Sequence, residues 1–217
     1  NTPVSNGDIE VNKILKKKIS EITPNIIIVS EENSAHKNDK NLKDFWLIDP
    51  IDGTNDYINN RDEFTLNAAL ILNNTPAIGI ISAPAKKRVF YSYGASNSYE
   101  LINSQEIELV NKKKDYEIIK AVCYSDNIKQ KISEIHKKNQ VASHQKMKSS
   151  LKFCVVAAGE YDLYVAEPRA CEWDIAAGHA IVVHAGGEIK DFDGKEIKYG
   201  KINFKNTSII VKNKNII

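Results

Sequence analysis

Apolar residues at Val11, Ile14, Leu15, Ile19 and Ile22 fall at the three/four spacing of one helix face. They predict a helix over residues 9–22 with Asp8 as its cap. Ile26-Ile27-Ile28-Val29 and the run 45–48 are short, unbroken apolar stretches of the kind a buried strand needs. Strands are predicted again at 64–72, 77–82 and 88–93. Asn73-Asn74 is a turn signal between the first two, so this half reads as an antiparallel meander. From Ile118 onward strands alternate with helices expected at 127–138, 149–158 and 174–185, before a last strand at 208–211. The helix that starts near Asp174 is Ala-rich and apolar, which marks it as buried. The chain shows no internal repeat and no low-complexity linker.

Composition narrows the class only a little. With 217 residues, 42% of them hydrophobic, the chain can bury a sizeable core as one or two domains. A net charge of +2 gives no case for nucleic acid or an anionic membrane as an obligate partner. The runs Lys16-Lys17-Lys18 and Lys112-Lys113-Lys114 read as solvated faces. Cys123, Cys154 and Cys171 cannot all pair, and reduced thiols in a cytoplasmic protein fit them best. No segment reaches the roughly 18 apolar residues of a membrane span, and no signal-peptide pattern is visible. His36, His136, His144, His179 and His184 have no triad or metal partner at recognisable spacing and read as structural.

The chemistry concentrates in Trp46-Leu47-Ile48-Asp49-Pro50-Ile51-Asp52-Gly53-Thr54, where an apolar run ends in two carboxylates, a proline, a glycine and a hydroxyl. Pro50 pushes Asp49 into an extended conformation, so the strand should finish there and turn, letting Asp49 and Asp52 converge. Gly53 allows close backbone approach to a ligand. Thr54 can open a short helix whose free N–H groups face a phosphate. Asp174, at the start of its helix, reads either as a cap or as an acid able to meet a metal. Glu31 and Glu32 follow the strand 26–29, at the strand end where open sheets bind ligands. Asp8, Glu31, Asp49, Asp52 and Asp174 form an oxygen-only set with no His or Cys at zinc spacing, the set that hard cations such as Mg²⁺ prefer.

Glu31-Glu32, the run 49–54 and Trp173-Asp174-Ile175-Ala176-Ala177-Gly178 together resemble the signature of the lithium-sensitive, Mg²⁺-dependent phosphomonoesterases. That superfamily includes inositol monophosphatases and bisphosphate nucleotidases. Ser149-Ser150-Leu151-Lys152-Phe153-Cys154, Glu172-Trp173-Asp174 with Gly178-His179-Ala180, and Glu63-Phe64-Thr65-Leu66-Asn67 are most similar to its CysQ-type 3′(2′),5′-bisphosphate nucleotidases. The likeness runs from Thr2 to about Val211.

The resemblance implies a layered α-β-α-β-α sandwich with an antiparallel N-terminal sheet and an α/β C-terminal half. The division falls near residue 115: residues 1–115 carry most of the metal ligands, and residues 116–217 carry Asp174 and the substrate contacts. It also implies a helix ahead of the segment 1–5. The implied reaction is phosphomonoester hydrolysis with two or three Mg²⁺ ions per site. Glu31, Asp49, Asp52, Asp174 and the Ile51 carbonyl are the implied ligands, and Asp8 with Thr54 is the implied water-activating pair. Glu31 is the competing base, as in the inositol phosphatase branch. Glu31, Ile51, Asp52, Gly53, Thr54 and Asp174 line the implied phosphate site. The expected partner is a small phosphorylated metabolite, with no nucleic acid and no stable membrane insertion. A homodimer and a peripheral place at the inner membrane are compatible with the resemblance.

Substrate choice rests on Ser149, Lys152 and Arg169. Ser149 and Lys152 match nucleotide-contacting positions of the family, although a surface lysine would look the same in sequence. Ala166 stands where CysQ-type enzymes carry Arg, and Arg169 is the candidate replacement. The family's Ser-Arg-Ser-His segment reads Cys123-Tyr124-Ser125-Asp126, and Asn55 stands in place of Lys. The favoured function is hydrolysis of adenosine 3′,5′-bisphosphate to AMP and phosphate. An inositol or sugar monophosphatase and a non-catalytic metal-binding relic are the alternatives.

Overall fold

The computed structural model describes residues 4–32, 36, 39, 42–94, 97–109 and 118–217. The Lys112–Lys114 run and the expected division near 115 lie outside the described residues.

Helix α1 (Asn6–Ile22) is capped by Ser5, not by Asp8. The Ser5 hydroxyl accepts the Gly7 and Asp8 amides while Asp8, at the third helical position, accepts the Ser5 N–H at 2.7 Å. This reciprocal capping box releases Asp8 from the cap role and leaves its second oxygen for another partner. Leu15 and Ile19 pack the helix onto Trp46, Ile48, Ala68 and Leu70 of a seven-stranded sheet.

That sheet runs in the order β1 (Ile27–Ser30), β2 (Phe45–Asp52), β3 (Thr65–Leu72), β4 (Thr75–Ala83), β5 (Arg88–Tyr93), β6 (Asn97–Ile102), β7 (Gln105–Glu108). Only β1 and β2 are parallel; every later neighbour is antiparallel. The helix α2 (Thr54–Ile58) follows β2. Asn73 and Asn74 join β3 to β4 with φ of 51° and 60°, the left-handed pair that asparagine tolerates in a tight hairpin. Strand β6 escapes the alternation rule because its inward residues are polar. Ser98 donates to the Ile181 carbonyl at 2.7 Å and Glu100 pairs with Arg88, so the core side of β6 is hydrogen-bonded where apolar packing is the norm.

The second sheet has the order β11 (Glu188–Lys190), β12 (Ile209–Lys212), β10 (Leu163–Ala166), β8 (Ile119–Cys123), β9 (Val141–Lys146). β8, β9 and β10 are parallel, linked through α3 (Gln130–Lys138) and α4 (Leu151–Ala157). Between the sheets lie α4 and α5 (Glu172–His184), which share the main core with Phe45, Leu47, Ile71, Ile81 and Phe90. α3 covers the outer face through Ile132 and Ile135. The layers are therefore α-β-α-β-α, as the resemblance implied. The middle helix fits because small residues let it approach. A Cβ at Gly79 would stand 2.3 Å from the Ala177 carbonyl, and one at Gly178 would stand 2.3 Å from the Phe153 ring. Among the described residues Cys123, Cys154 and Cys171 form no disulfide. Among the described residues no helix is long and apolar enough to cross a membrane.

Candidate active site

β2 does not stop at Asp49. It continues through Asp52, with a register shift between Asp49 (opposite Asn67) and Asp52 (opposite Thr65). Pro50 has no N–H to give the ladder, so the strand bulges there and both acids still reach the same end of the sheet. Gly53 then takes φ 94°, and a Cβ in its place would lie 3.1 Å from the Glu63 carbonyl, so the turn into α2 requires glycine.

Three carboxylates meet at this point. Glu31 arrives from the end of β1, Asp49 from β2 and Asp174 from the first turn of α5, and one oxygen of each lies within 4.8 Å of the others. Asp174 sits third in its helix, where its carboxylate accepts the Cys171 N–H at 2.7 Å. It thus caps α5 and also faces the other acids, so both sequence readings describe it. Burial raises Glu31 to about 7 and Asp174 to about 8, with Asp52 adding to both. Asp49 is driven well above the carboxylate range by burial and then by Asp52, Asp174 and Glu31. Acids this close cannot all ionise without a compensating positive charge. Asp49 Oδ1 is buried with no hydrogen-bond partner. An orphaned carboxylate oxygen inside an all-oxygen cluster is what a hard cation would satisfy, so the residues fit such an ion.

Asp52 is not one of the trio; its Oδ2 accepts the Ser150 hydroxyl at 2.6 Å. The Ile51 carbonyl accepts the Thr54 hydroxyl at 3.0 Å, and Asp8 Oδ1 lies 3.3 Å from the same hydroxyl. Asp8 is buried on the far side of Thr54, held by Ser5. The structure therefore brings Asp8 and Thr54 together across 46 residues of chain.

Beside the acids stands a group of cations. Lys152 is buried, donates to the Ser149 carbonyl, and lies 5.2 Å from the Tyr164 ring and 5.8 Å from the Tyr124 ring. Burial lowers its ammonium to about 8, with Asp52 opposing that shift. The surface-lysine reading of Lys152 is thereby excluded. Lys148 and Arg169 each lie 3.6 Å from the centre of the Tyr124 ring, and their hydrogen bonds to its hydroxyl, that of Arg169 first, hold the phenol below its ordinary range. Among the described residues none of these three cations has a carboxylate ion-pair partner. Ser149 is buried and turns the chain into α4 at φ 50°.

Ser150 and Asn67 stand in motifs the sequence offers but receive no role from it, and Tyr124 and Lys148 are further neighbours without an assigned role there. Lys148 directly precedes the Ser149–Lys152 motif, which was its only signal. Tyr124 occupies the segment where an arginine was expected. His179 is buried, and its Nδ1 is hydrogen-bonded to the Tyr199 hydroxyl at 2.9 Å.

The profile of the inositol monophosphatase family matches residues 1–216. A protein of Buchnera aphidicola named 3′(2′),5′-bisphosphate nucleotidase CysQ is 34% identical over 216 residues, covering 95% of this chain and 79% of its own. A CysQ of Salmonella typhimurium is 33% identical, covering 91% of this chain and 80% of its own. Among solved structures, CysQ from Bacteroides thetaiotaomicron superposes with a TM-score of 0.77 at 26% identity, over 92% of this chain and 82% of that one. An IMPase of Thermotoga maritima gives 0.76 at 28% identity, over 98% and 79%. Profile, relatives and layered fold agree, and the chain belongs to the inositol monophosphatase family as a phosphatase of CysQ type.

Proposed function

We propose that this phosphatase is Mg²⁺-dependent and hydrolyses adenosine 3′,5′-bisphosphate to AMP and phosphate. One observation carries the reading: an acid cluster suited to cations lies next to cations that have no carboxylate ion-pair partner among the described residues, a layout suited to a substrate with two phosphates. The curated relatives named bisphosphate nucleotidases support the same choice.

Glu31, Asp49, Asp52, Asp174 and the Ile51 carbonyl would hold Mg²⁺, whose charge neutralises the reacting phosphate and lowers the pKa of the attacking water. The chain's own part is positioning and proton transfer. Thr54 has one proton to share between Asp8 and the Ile51 carbonyl, and a hydroxyl that gives its proton toward Asp8 can take one from water. The water oxygen then bonds to phosphorus, the bond to the 3′-oxygen breaks, and that oxygen takes up a proton. Glu31, at about 7, is the second candidate base. Lys152, Ser149 and Arg169 would grip the other phosphate, with Lys148 as their neighbour. In this arrangement the half up to residue 115 supplies most of the metal ligands, and residues 116–217 supply Asp174 and the second-phosphate contacts.

The test is phosphate release from adenosine 3′,5′-bisphosphate by the purified protein. One equivalent of phosphate and 5′-AMP are expected with Mg²⁺ and neither with EDTA. Release that survives EDTA would contradict the proposal.

A further inference from the structure

Ser150 is buried at the entrance to α4 and touches three elements through one oxygen. Its Oγ lies 2.6 Å from Asp52 Oδ2 on β2, 2.6 Å from the Asp174 carbonyl on α5, and 2.9 Å from Asn67 Nδ2 on β3. A serine hydroxyl has one proton to donate. The Asn67 amide donates to Ser150, so two acceptors compete for a single proton. Asp52 Oδ2 and the Asp174 carbonyl thus face the one hydroxyl proton at 2.6 Å each. Asn67 keeps its own amide on Ser150 even though its Oδ1 is buried without a partner. The environment thus fixes the orientation of this hydroxyl at the cost of an unsatisfied acceptor.

We infer that Ser150 is a positioning residue that couples Asp52 to Asp174 across the two halves of the molecule, setting both acids for a divalent cation. It holds Asp52 Oδ2, and it ties the first turn of α5 to the end of β2. A cation that draws charge from Asp52 relieves the competition, because the proton can then settle on the Asp174 carbonyl. Asn67 acts one step further out by holding Ser150. The inference rests on the metal-binding part of the proposed function and is independent of which phosphate ester is the substrate.

The experiment uses Mn²⁺ alone as the probe, with free Mn²⁺ read by electron paramagnetic resonance, on the wild type, S150A, S150T and N67A. Thermal unfolding in EDTA is recorded for each. Partners that orient metal ligands are typically worth about 10–100-fold in affinity, so S150A is expected to bind Mn²⁺ about 10–100-fold more weakly. S150T keeps the hydroxyl and is expected to recover most of the affinity. N67A should show a smaller loss, of about three- to tenfold. A serine that merely supported the fold would lower the metal-free Tm and leave the folded protein's Mn²⁺ affinity alone. Mn²⁺ affinity in folded S150A within about twofold of wild type would overturn the inference, as would equal losses in S150A and S150T. If S150A does not fold, N67A decides, and unchanged affinity there overturns the inference. A wild-type protein that binds no Mn²⁺ removes the metal reading and this inference together, whereas normal wild-type binding with unaffected variants removes only the inference.

Discussion

The acid cluster and the cation group lie side by side but are built in different ways. Glu31, Asp49 and Asp174 are short side chains fixed by the ends of two strands and the first turn of a helix. The placement of Asp49 follows from backbone geometry at the end of β2, where Pro50 and Gly53 stand. Lys148 and Arg169 are long side chains outside the regular elements, gathered by the face of one aromatic ring, Tyr124. On the proposed function the acids would serve any phosphate ester, while the cations would decide which ester stays.

The largest effect expected from breaking this comparison falls on the acid side. Asp49→Asn should lower kcat by about 10³-fold while circular dichroism stays native, because a missing charge at an electrostatic site costs on that order. Retained turnover would remove Asp49 from the metal set.

The cation side should respond differently. Lys148→Ala combined with Arg169→Ala is expected to raise KM for adenosine 3′,5′-bisphosphate by about 10–100-fold, the worth of charge-assisted hydrogen bonds, with little change for inositol 1-phosphate. Equal losses on both substrates would mean that the cations serve the reacting phosphate.

A pH series separates the two regions again. Below about 7 Glu31 carries a proton, and below about 8 so does Asp174, and a cation must displace both. Mg²⁺ affinity should therefore rise by about 10²–10³-fold between pH 6 and pH 8, with protons released on binding at pH 6 and fewer at pH 9. Calorimetry in buffers of different ionisation enthalpy measures this release, and proton uptake would reverse the assignment. The smallest effect belongs to Tyr124→Phe, which keeps the ring beneath Lys148 and Arg169. KM should move by about three- to tenfold, since the ring face remains for cation–π contact while the hydrogen bonds of Arg169 and Lys148 to the hydroxyl are lost. Tyr124→Ala should move it further.

The same contrast explains what could be read from the chain alone. The run 46–54 places its acids by local rules, an apolar strand, a proline and an obligate glycine, so its geometry is written in contiguous residues. Asp8 was harder: both Ser5 and Asp8 can cap a helix, and only the reciprocal contact between them shows that Asp8 is free to face Thr54. β6 hid because its core-facing Ser98 and Glu100 are satisfied by Ile181 and Arg88 from distant segments. Tyr124 carried no signal at all, since its role depends on Lys148 and Arg169 arriving from two other loops. Local chemistry was legible, and long-range partnership was not.

The most direct test of the account is the ratio of kcat/KM for adenosine 3′,5′-bisphosphate to that for inositol 1-phosphate, measured side by side with Mg²⁺. Acids and cations acting on two phosphates of one molecule predict a preference for the nucleotide of about a hundredfold, roughly 2.7 kcal/mol. Equal turnover, or a preference for the inositol ester, would contradict it and leave the cation group without the role assigned to it.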